Sequence, residues 1–548
     1  MKSLFVKKSF AFLVFFASQF FCFAAGKNVT QLVPMEVTPV EYRNIYLNWN
    51  NEGTPQFFSY EDLQNDVNAL NYLISTAYAG YEDAVKRGLN LETFAEQVDD
   101  YYYSYDRIST DDYIHTLTNF LEKKIRDRHF IFFGYDERWW LSGENTVYFS
   151  DVYCLSKKSD NDAEKQTFFV VKSDAEEVKK GDEIEISEEN LFPYILNGQR
   201  VYRLGIINYR QEKYLKLVSN GKTVYVPVKN YPAIKNHDSV RVGQKKTKNS
   251  AYVSLTHFIY GRYENTVKSA EVALELFSGF GIKNKDKQNL IIDLRSNGGG
   301  YPDFLEMFYF GLYSGIDWKT ADKMTDKQSD NFYVYYMENL LQPKLTGAIT
   351  VESPAWLQKY KDNVENMAVS KKNTDKELKH IRYLEQLLEE QKKVPQRRKY
   401  DYVDYIKYRY MHESNKKNIR IPKKSAFNGK IIIIADRNSA SAAELAILYA
   451  RLMFDEDAQV YVIGENTNGC ISYGDVKSYC LPESKVNVNI PISDFTNILK
   501  RFPSWHGEGY GFYPDYWCTS ENLLETLVVL SGDDELKFAL HGIDYDLR

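Results

Sequence analysis

The sequence predicts an α/β protein of several domains, with a mostly parallel sheet in its largest core. An apolar run at 289–294 ends in a glycine-rich loop and is followed by a helical pattern at 303–312. A second apolar run at 430–436 is followed by a short turn and a helical pattern at 441–454, and a third run lies at 460–463. Continuous apolar runs are typical of strands buried on both faces, and alternation of strand and helix is typical of a parallel sheet.

Length and composition limit the class of protein. The chain has 548 residues, 44% of them apolar and 26% charged, which is an ordinary globular composition. Because single cores stop growing near about 250–300 residues, several domains are expected. The net charge is −6, so no basic surface argues for nucleic acid, and we expect no nucleic-acid partner.

The first residues have the pattern of a signal peptide. Lysines near the start precede an apolar run at 9–23, which ends in the small residues Ala24 and Ala25. The alternative is a membrane anchor, but the run is shorter than the roughly 20 residues that span a bilayer. We therefore expect residues 1–24 to be removed, and the mature chain to be exported (periplasmic, cell-surface or secreted) without a transmembrane segment.

The remaining chain divides by composition into four regions. The sequence predicts a helical N-terminal region at 25–150, a small β-rich module at 160–235, a charged helical insertion at 319–425, and an α/β core at 250–318 plus 426–548. The insertion is a candidate gate, dimer contact or partner site, so a homodimer stays open.

Local patterns place the elements within these regions. Apolar residues at helical spacing predict four further helices, at 63–78, 113–125, 269–280 and 377–392. Apolar and β-branched residues predict strands at 167–171, 201–207, 214–218, 223–228 and 251–258. The Asn220-Gly221 pair is a hairpin signal between the third and fourth of these strands.

Two loops of the core carry the candidate chemistry. Both follow parallel strands, and open parallel sheets bind ligands at the carboxyl ends of their strands. One loop holds Gly298-Gly299-Gly300, and the other leads to Ser441 at a helix N-terminus. A serine there is either a helix cap or a nucleophile whose neighbouring N–H groups stabilise an oxyanion.

Four segments, in order, resemble the tail-specific (C-terminal-processing) serine protease family. They read LIIDLRSNGGG at 290–300, IIIIADRNSASAAE at 431–444, VIGENTNG at 462–469 and EGYGFYPD at 508–515. The resemblance implies a crotonase-like core, and it makes the β-rich module PDZ-like.

The same resemblance assigns roles to residues of the two loops. It implies that Ser441 is the nucleophile, and that the N–H groups of Gly299 and Ala442 are the oxyanion donors.

The sequence departs from the main branch of this family, which uses a serine and a lysine. Cys470 stands where that branch has its lysine, after Gly464-Glu465-Asn466-Thr467-Asn468-Gly469. A neutral thiol is a poor base for serine, and Lys477 is farther along on an expected strand. The chain is closer to the Ser-His-Glu branch, which includes the tricorn core and the chlamydial protease-like activity factor.

That branch implies His129 as general base and Glu508 as orienting carboxylate. His129 lies in an Asp-Arg-His stretch at an expected helix-to-strand junction, and Glu508 follows Ser441 by several tens of residues. A triad needs a base for the serine proton and a carboxylate that fixes the imidazole. His506 is the main rival base, and Glu465 is the rival carboxylate.

Other histidine and cysteine assignments stay open. His257 lies on an expected core strand, and it is also open that no histidine is catalytic. The mature cysteines Cys154, Cys470, Cys480 and Cys518 allow three disulfide pairings. Of these pairs, Cys470 and Cys480 are the candidate across a hairpin.

The predicted function is that of an exported serine endopeptidase acting on polypeptide substrates. No metal-ligand spacing or phosphate loop is present, so we expect no cofactor and no metal. The β-rich module lacks a clear carboxylate-binding loop, so we expect no strict specificity for the substrate's C-terminus. The alternative is a catalytically inactive protein of the same fold that binds peptides or hydrophobic ligands, because fold does not determine function.

Overall fold

The structure of the chain is a computed structural model. It describes residues 31–34, 53–141, 146–156, 167–208, 213–231, 243–256, 258, 279–300, 302–315, 341, 344–352, 382, 385–386, 396–401, 424–454 and 459–541. The predicted signal peptide at 1–24, His257 and most of the predicted helices at 269–280 and 377–392 lie outside these residues. Within the described part of the chain, no helix is long and apolar enough to cross a membrane.

The described α-helices are numbered in chain order. They are α1 (Leu63–Ala77), α2 (Tyr81–Lys86), α3 (Leu91–Tyr102), α4 (Thr110–Leu121), α5 (Asp303–Ser314), α6 (Ala442–Phe454), α7 (Thr496–Leu499), α8 (Leu523–Ser531) and α9 (Leu536–Ala539).

The described strands are numbered in the same way. They begin with β1 (Gln31–Pro34), β2 (Phe57–Ser59), β3 (Arg107–Ser109), β4 (Ile131–Phe133), β5 (Arg138–Trp140), β6 (Thr146–Ser156), β7 (Thr167–Ser173), β8 (Glu183–Glu185), β9 (Leu191–Leu196), β10 (Gln199–Asn208), β11 (Tyr214–Ser219) and β12 (Lys222–Pro227). They continue with β13 (Lys229–Asn230), β14 (Gly243–Lys246), β15 (Ser250–Ser254), β16 (Asn289–Asp293), β17 (Ile349–Glu352), β18 (Gln396–Asp401), β19 (Lys430–Ala435), β20 (Gln459–Gly464), β21 (Tyr473–Cys480), β22 (Asn487–Asp494) and β23 (Tyr516–Trp517).

The chain divides into two compact units. Unit 1 comprises Met1–Ser142, Asp322–Ile419 and Cys470–Phe502. Unit 2 comprises Gly143–Ala321, Arg420–Gly469 and Pro503–Arg548.

Unit 1 combines helices with a sheet of seven strands. The sheet has the order β1-β18-β17-β22-β4-β5, and β21 pairs with β22 along its whole length. Helices α1, α3 and α4 contribute apolar faces to one core, which also includes Tyr473, Tyr479 and Val488 of the sheet. The amphipathic spacing that predicts α1 and α4 is therefore explained by their burial in this core.

Unit 2 contains a sheet of 14 strands, and its central part is parallel. Neighbouring strands β15, β16, β19, β20 and β23 run parallel to one another. The four isoleucines of β19 at 431–434 are fully buried, as expected for a strand covered on both faces. Helices α5 and α6 are joined by a hydrogen bond from the Tyr309 hydroxyl to the Ala446 carbonyl at 2.8 Å.

The β-rich module belongs to the same sheet as the core. Its strands follow the order β12-β11-β8-β7-β6-β10-β9, and β9 then pairs with β23. The predicted hairpin is present, with β11 and β12 joined through Asn220 and Gly221, both at positive φ. The PDZ-like character of the module remains a prediction.

The charged insertion, predicted to be helical, is described only in short pieces: residues 382, 385 and 386 are helical, whereas two other pieces form strands. Strands β17 and β18 pair with each other, and β17 pairs with β22. Strand β18 is QRRKYD, which has no apolar alternation. Pairing with two neighbouring strands supplies its backbone hydrogen bonds, and such distant pairing leaves no local signal in the sequence.

Candidate active site

The nucleophile candidate lies in a sharp turn between a strand and a helix of unit 2. Strand β19 ends at Ala435 and α6 begins at Ala442, so Ser441 is the last residue before the helix. Its φ is +54°, a left-handed conformation that costs a non-glycine residue about 1–2 kcal/mol. Strained serines at strand–helix turns are typical of hydrolase nucleophiles, whereas an N-cap normally has an extended backbone.

The glycine-rich loop meets this turn at Gly299. A Cβ atom placed on Gly299 would lie 2.7 Å from the Ala440 carbonyl oxygen, 2.7 Å from the Ser441 Cβ and 2.9 Å from the Ala442 nitrogen. The φ of Gly299 is +91°, which glycine adopts without steric cost. Only glycine therefore fits where the two loops approach each other.

Asn297 joins the two loops through hydrogen bonds. Its carbonyl accepts from the Ala440 N–H at 2.9 Å, and its side-chain Nδ2 donates to the Leu255 carbonyl at 2.7 Å. Its Oδ1 accepts from the Gly299 N–H at 2.9 Å. The N–H of Gly299, a predicted oxyanion donor, therefore already donates a hydrogen bond to Asn297 Oδ1. A substrate oxyanion would have to share this N–H with Asn297 Oδ1 or replace Asn297 Oδ1 as its acceptor.

The N–H of Ala442 differs from that of Gly299. Within the described part of the chain, the N–H groups of Ala443, Glu444 and Leu445 donate backbone hydrogen bonds in this turn. The Ala442 N–H is not among these donors. This N–H lies at the first turn of α6, where backbone donors and the helix dipole favour negative charge. Its predicted role as an oxyanion donor is compatible with this position.

Glu444 is a site residue that the sequence reasoning missed. It is fully buried in the first turn of α6, and its Oε2 accepts from the Ser441 N–H at 3.2 Å. Its Oε1 accepts from the Thr467 hydroxyl at 2.5 Å and from the Gly469 N–H at 2.8 Å. A charged residue on the buried face of an apolar helix is the sequence signal for such a role.

The segment at 464–469 connects this carboxylate to the turn that holds Glu508. The Gly509 N–H donates to the Gly469 carbonyl at 2.8 Å, and the Phe512 N–H donates to the Thr467 hydroxyl at 2.7 Å. Glu508 itself is partly buried. Unit 2 therefore joins the Ser441 turn and the Glu508 turn through one hydrogen-bonded segment.

The rival carboxylate Glu465 is engaged by an arginine. Its Oε1 accepts from Arg437 at 2.8 Å, and its side chain is nearly buried. Burial raises the pKa of Glu465, and the Arg437 charge opposes that rise. The Arg437 guanidinium also donates to the Tyr231 carbonyl, so this pair braces the loop after β19.

The rival bases have other surroundings. His506 stacks on Tyr513 with ring centres 3.4 Å apart and an angle of 14° between the planes, and burial lowers its pKa. Lys477 lies within β21 of unit 1, paired with Ile490. The strand position expected for Lys477 is confirmed.

His129 lies in unit 1, between the end of α4 and the start of β4, as the sequence predicts. Its backbone N–H donates to Asp127 Oδ1 at 2.8 Å, and its Nδ1 lies 2.7 Å from the Tyr473 carbonyl oxygen. The sequence predicts the Glu508 carboxylate as the orienting group, whereas this contact gives Nδ1 a main-chain acceptor. Burial lowers the pKa of His129 below its ordinary value of 6.5.

The candidate disulfide is absent. Among the described cysteines Cys154, Cys470, Cys480 and Cys518, none is in a disulfide. Cys480 ends β21 and Cys470 precedes its first residue, so a whole strand separates them. The strand alone spans roughly 20 Å or more, whereas disulfide Cα atoms lie about 4–7 Å apart. The hairpin lies between β21 and β22 instead.

Within the residues that the structure describes, no cluster of His, Cys, Asp or Glu side chains could hold a metal ion.

Comparison with known families identifies the class of this protein. Residues 249–516 match the model of peptidase family S41. This match indicates that the chain is a serine peptidase. The matched range includes Gly299, Ser441, Ala442 and Glu508 but not His129. No curated protein matches the chain in sequence.

Solved structures offer more distant likenesses. Mature CPAF is 13% identical over 89% of this chain and 99% of its own, with a TM-score of 0.40. The photosystem II D1 C-terminal processing protease is 11% identical over 89% of this chain and 97% of its own, at 0.31. The tricorn protease is 13% identical over 87% of this chain and 36% of its own, at 0.29.

Proposed function

We propose that this serine peptidase is an exported endopeptidase that cleaves polypeptides through an acyl-enzyme on Ser441. The observation that carries the proposal is the strained Ser441 turn, on which Gly299 packs so closely that no side chain fits. This arrangement lies within the range that matches family S41. Export rests on the signal-peptide pattern of residues 1–24.

The chemistry follows from the groups available. Ser441 Oγ attacks the scissile carbonyl carbon while His129 Nε2 takes the hydroxyl proton. The carbonyl oxygen becomes an oxyanion, which the N–H groups of Ala442 and Gly299 stabilise. When the C–N bond breaks, the imidazolium returns the proton to the leaving amine. Water then attacks the ester carbonyl carbon, again with His129 as the base. The ester bond to Ser441 breaks, and the second peptide is released.

The histidine assignment has two supports. A carbonyl oxygen only accepts hydrogen bonds, so His129 Nδ1 carries the proton and Nε2 is left with its lone pair. The lowered pKa keeps this imidazole neutral at neutral pH, as a base requires. In this proposal the Glu508 carboxylate stabilises the imidazolium that forms during the attack.

The segment that links the two turns supports the pairing of Ser441 with Glu508. Glu444 accepts hydrogen bonds from the Ser441 turn and from Gly469, and Gly469 accepts one from Gly509. Each turn therefore restrains the other. A preorganised site requires that its groups be held in fixed positions, and these hydrogen bonds hold the Ser441 and Glu508 turns in that way.

Turnover of an unfolded protein tests this function. The mature chain should cleave unfolded casein, and S441A and H129A should each lose about a thousandfold or more in kcat/KM. S187A is the matched control, because Ser187 is exposed in the β-rich module and should keep wild-type activity. Wild-type-like turnover by S441A would contradict the proposal. Absence of turnover with retained peptide binding would favour the inactive alternative.

A further inference from the structure

His129 has an unusual orienting partner for a proposed base. A neutral imidazole has one N–H donor and one acceptor nitrogen, and the nitrogen facing a fixed acceptor carries the proton. The Tyr473 carbonyl is such an acceptor, 2.7 Å from Nδ1. This contact lies entirely within unit 1. The proton state that a base needs is thus set by a main-chain oxygen.

The position of that oxygen is itself fixed by the sheet. Tyr473 is the first residue of β21 and pairs with Asp494 of β22. Strand β4, which begins two residues after His129, pairs with the same β22 through Ile131 and Asn489. Because β21 and β4 share one neighbouring strand, their registers determine how the carbonyl and the imidazole meet.

The side chain of Tyr473 is anchored as firmly as its backbone. It is 3% exposed, and its hydroxyl donates to Asp83 Oδ2 at 3.1 Å. Its ring packs against the Tyr78 ring with centres 5.5 Å apart. A Cβ atom on Gly80 would lie 2.8 Å from the Tyr473 Cζ, so the chain leaves no room beside this ring.

Asp83 is in turn held in place. Its Oδ1 accepts from Lys86 at 2.9 Å, one turn along α2. Burial disfavours the charged form of Asp83, but the hydrogen bonds from Lys86 and Tyr473 outweigh it and lower its pKa. The carboxylate therefore stays charged and remains a strong acceptor for the Tyr473 hydroxyl.

We propose that Tyr473 is a positioning residue: its carbonyl fixes His129 as the Nδ1–H tautomer, and Asp83 holds Tyr473 in the required place. This inference rests on the proposed function of His129 as the base. It assigns the orienting role to a main-chain carbonyl, and it leaves Glu508 the separate task of stabilising positive charge.

Other charged groups near His129 affect its protonation. The Asp127 carboxyl accepts the His129 backbone N–H, so it holds the main chain. Asp475 of β21 raises the pKa of His129, and the Arg128 charge lowers it, both less than burial does. The Tyr473 carbonyl oxygen contacts the ring at Nδ1.

Nitrogen-15 NMR of the imidazole side chains reads the tautomer directly. The full mature chain is labelled at histidine, and the H129Q spectrum assigns the His129 signals. Wild-type His129 should show a protonated Nδ1 and an unprotonated Nε2 at pH 8. Y473F and D83A should each show a mixture of tautomers, because the carbonyl is no longer held in place.

Kinetics of the same variants give a second readout. Losing one such hydrogen bond should lower kcat about three- to tenfold with KM within about twofold. D83N should remain near the wild type, because its amide oxygen still accepts from Tyr473. Y60F is the matched control: it removes another tyrosine–aspartate bond of unit 1, from Tyr60 to Asp99 at 3.0 Å. It should alter neither the tautomer nor kcat.

The two proposals fail in distinguishable ways. An Nε2–H tautomer in the wild type, or an unchanged Nδ1–H signal in folded Y473F and D83A, would overturn the positioning role. The opposite outcome is also possible: the His129 tautomer changes as expected in Y473F and D83A, but S441A keeps wild-type activity. That result would support the positioning role and refute the proposed function.

Discussion

The approach of Gly299 to the Ser441 turn gives the sharpest mutational prediction. In G299A, the new methyl group would meet the Ala440 oxygen at 2.7 Å and the Ala442 nitrogen at 2.9 Å. Backbone atoms cannot turn away as a flexible side chain can, so the loops must separate. Overpacking of this kind costs about 1–3 kcal/mol, and a positive φ adds about 1–2 kcal/mol. The free energy of unfolding should fall by about 2–5 kcal/mol.

Activity should fall as well as stability. Separation of the loops moves the Gly299 and Ala442 N–H groups relative to Ser441, and loss of one oxyanion donor costs about a hundredfold or more in kcat. Urea unfolding and casein turnover measure the two effects.

G298A is the control for this prediction. A Cβ on Gly298 would meet nothing within 4 Å, so this variant should keep the activity and stability of the wild type. If G299A matched G298A in both measurements, the account of the two loops would be wrong.

Three further predictions concern buried charges. E444A removes the shared acceptor of the Ser441 turn and should lower the free energy of unfolding by about 3 kcal/mol or more, with E444Q less affected; urea titration measures this. Because a protonated His129 is no base, kcat/KM should fall as pH drops through a pKa below 6.5, seen in a pH–rate profile. Burial raises the pKa of Asp66 to about 6 in the folded chain. The protonated carboxyl group therefore contributes to the free energy of unfolding at low pH, and this contribution is lost as pH rises through 6. Relative to D66N, the free energy of unfolding of the wild type should fall by about 3 kcal/mol in all, measured by urea unfolding from pH 3 to pH 8.

The sequence contains enough information for the parallel core and for its reactive loops. The apolar runs that become β16 and β19 are each continuous, and each is followed by a turn and an amphipathic helix. Local patterns of this kind can be recognised without knowledge of the rest of the chain. They place Gly299 and Ser441 at the carboxyl ends of adjacent parallel strands, where the structure has them.

The surroundings of His129 depend on contacts between distant residues. Tyr473 and His129 are 344 residues apart, and the contact uses a main-chain carbonyl that any residue type could supply. The pairing of β17 and β18 with their neighbours likewise follows from a tertiary sheet rather than a local pattern. No sequence pattern reports which carbonyl lies beside an imidazole.

Single residues differ in how much the sequence reveals about their surroundings. Glu444 is charged and lies on the buried face of α6, which could have marked it as a paired carboxylate. The candidate bridge between Cys470 and Cys480 is wrong because β21 runs unbroken to Cys480. Short polar stretches such as YGDVKSYC do not show by themselves whether they turn or continue.

Covalent labelling tests the central claim most directly. The mature chain would be treated with a fluorophosphonate at pH 8, and the adduct located by intact mass and peptide mapping. The account predicts one equivalent of label on Ser441, none in S441A, and much slower labelling in H129A. A folded wild-type chain that takes up no label, or takes it up on another serine, would contradict it.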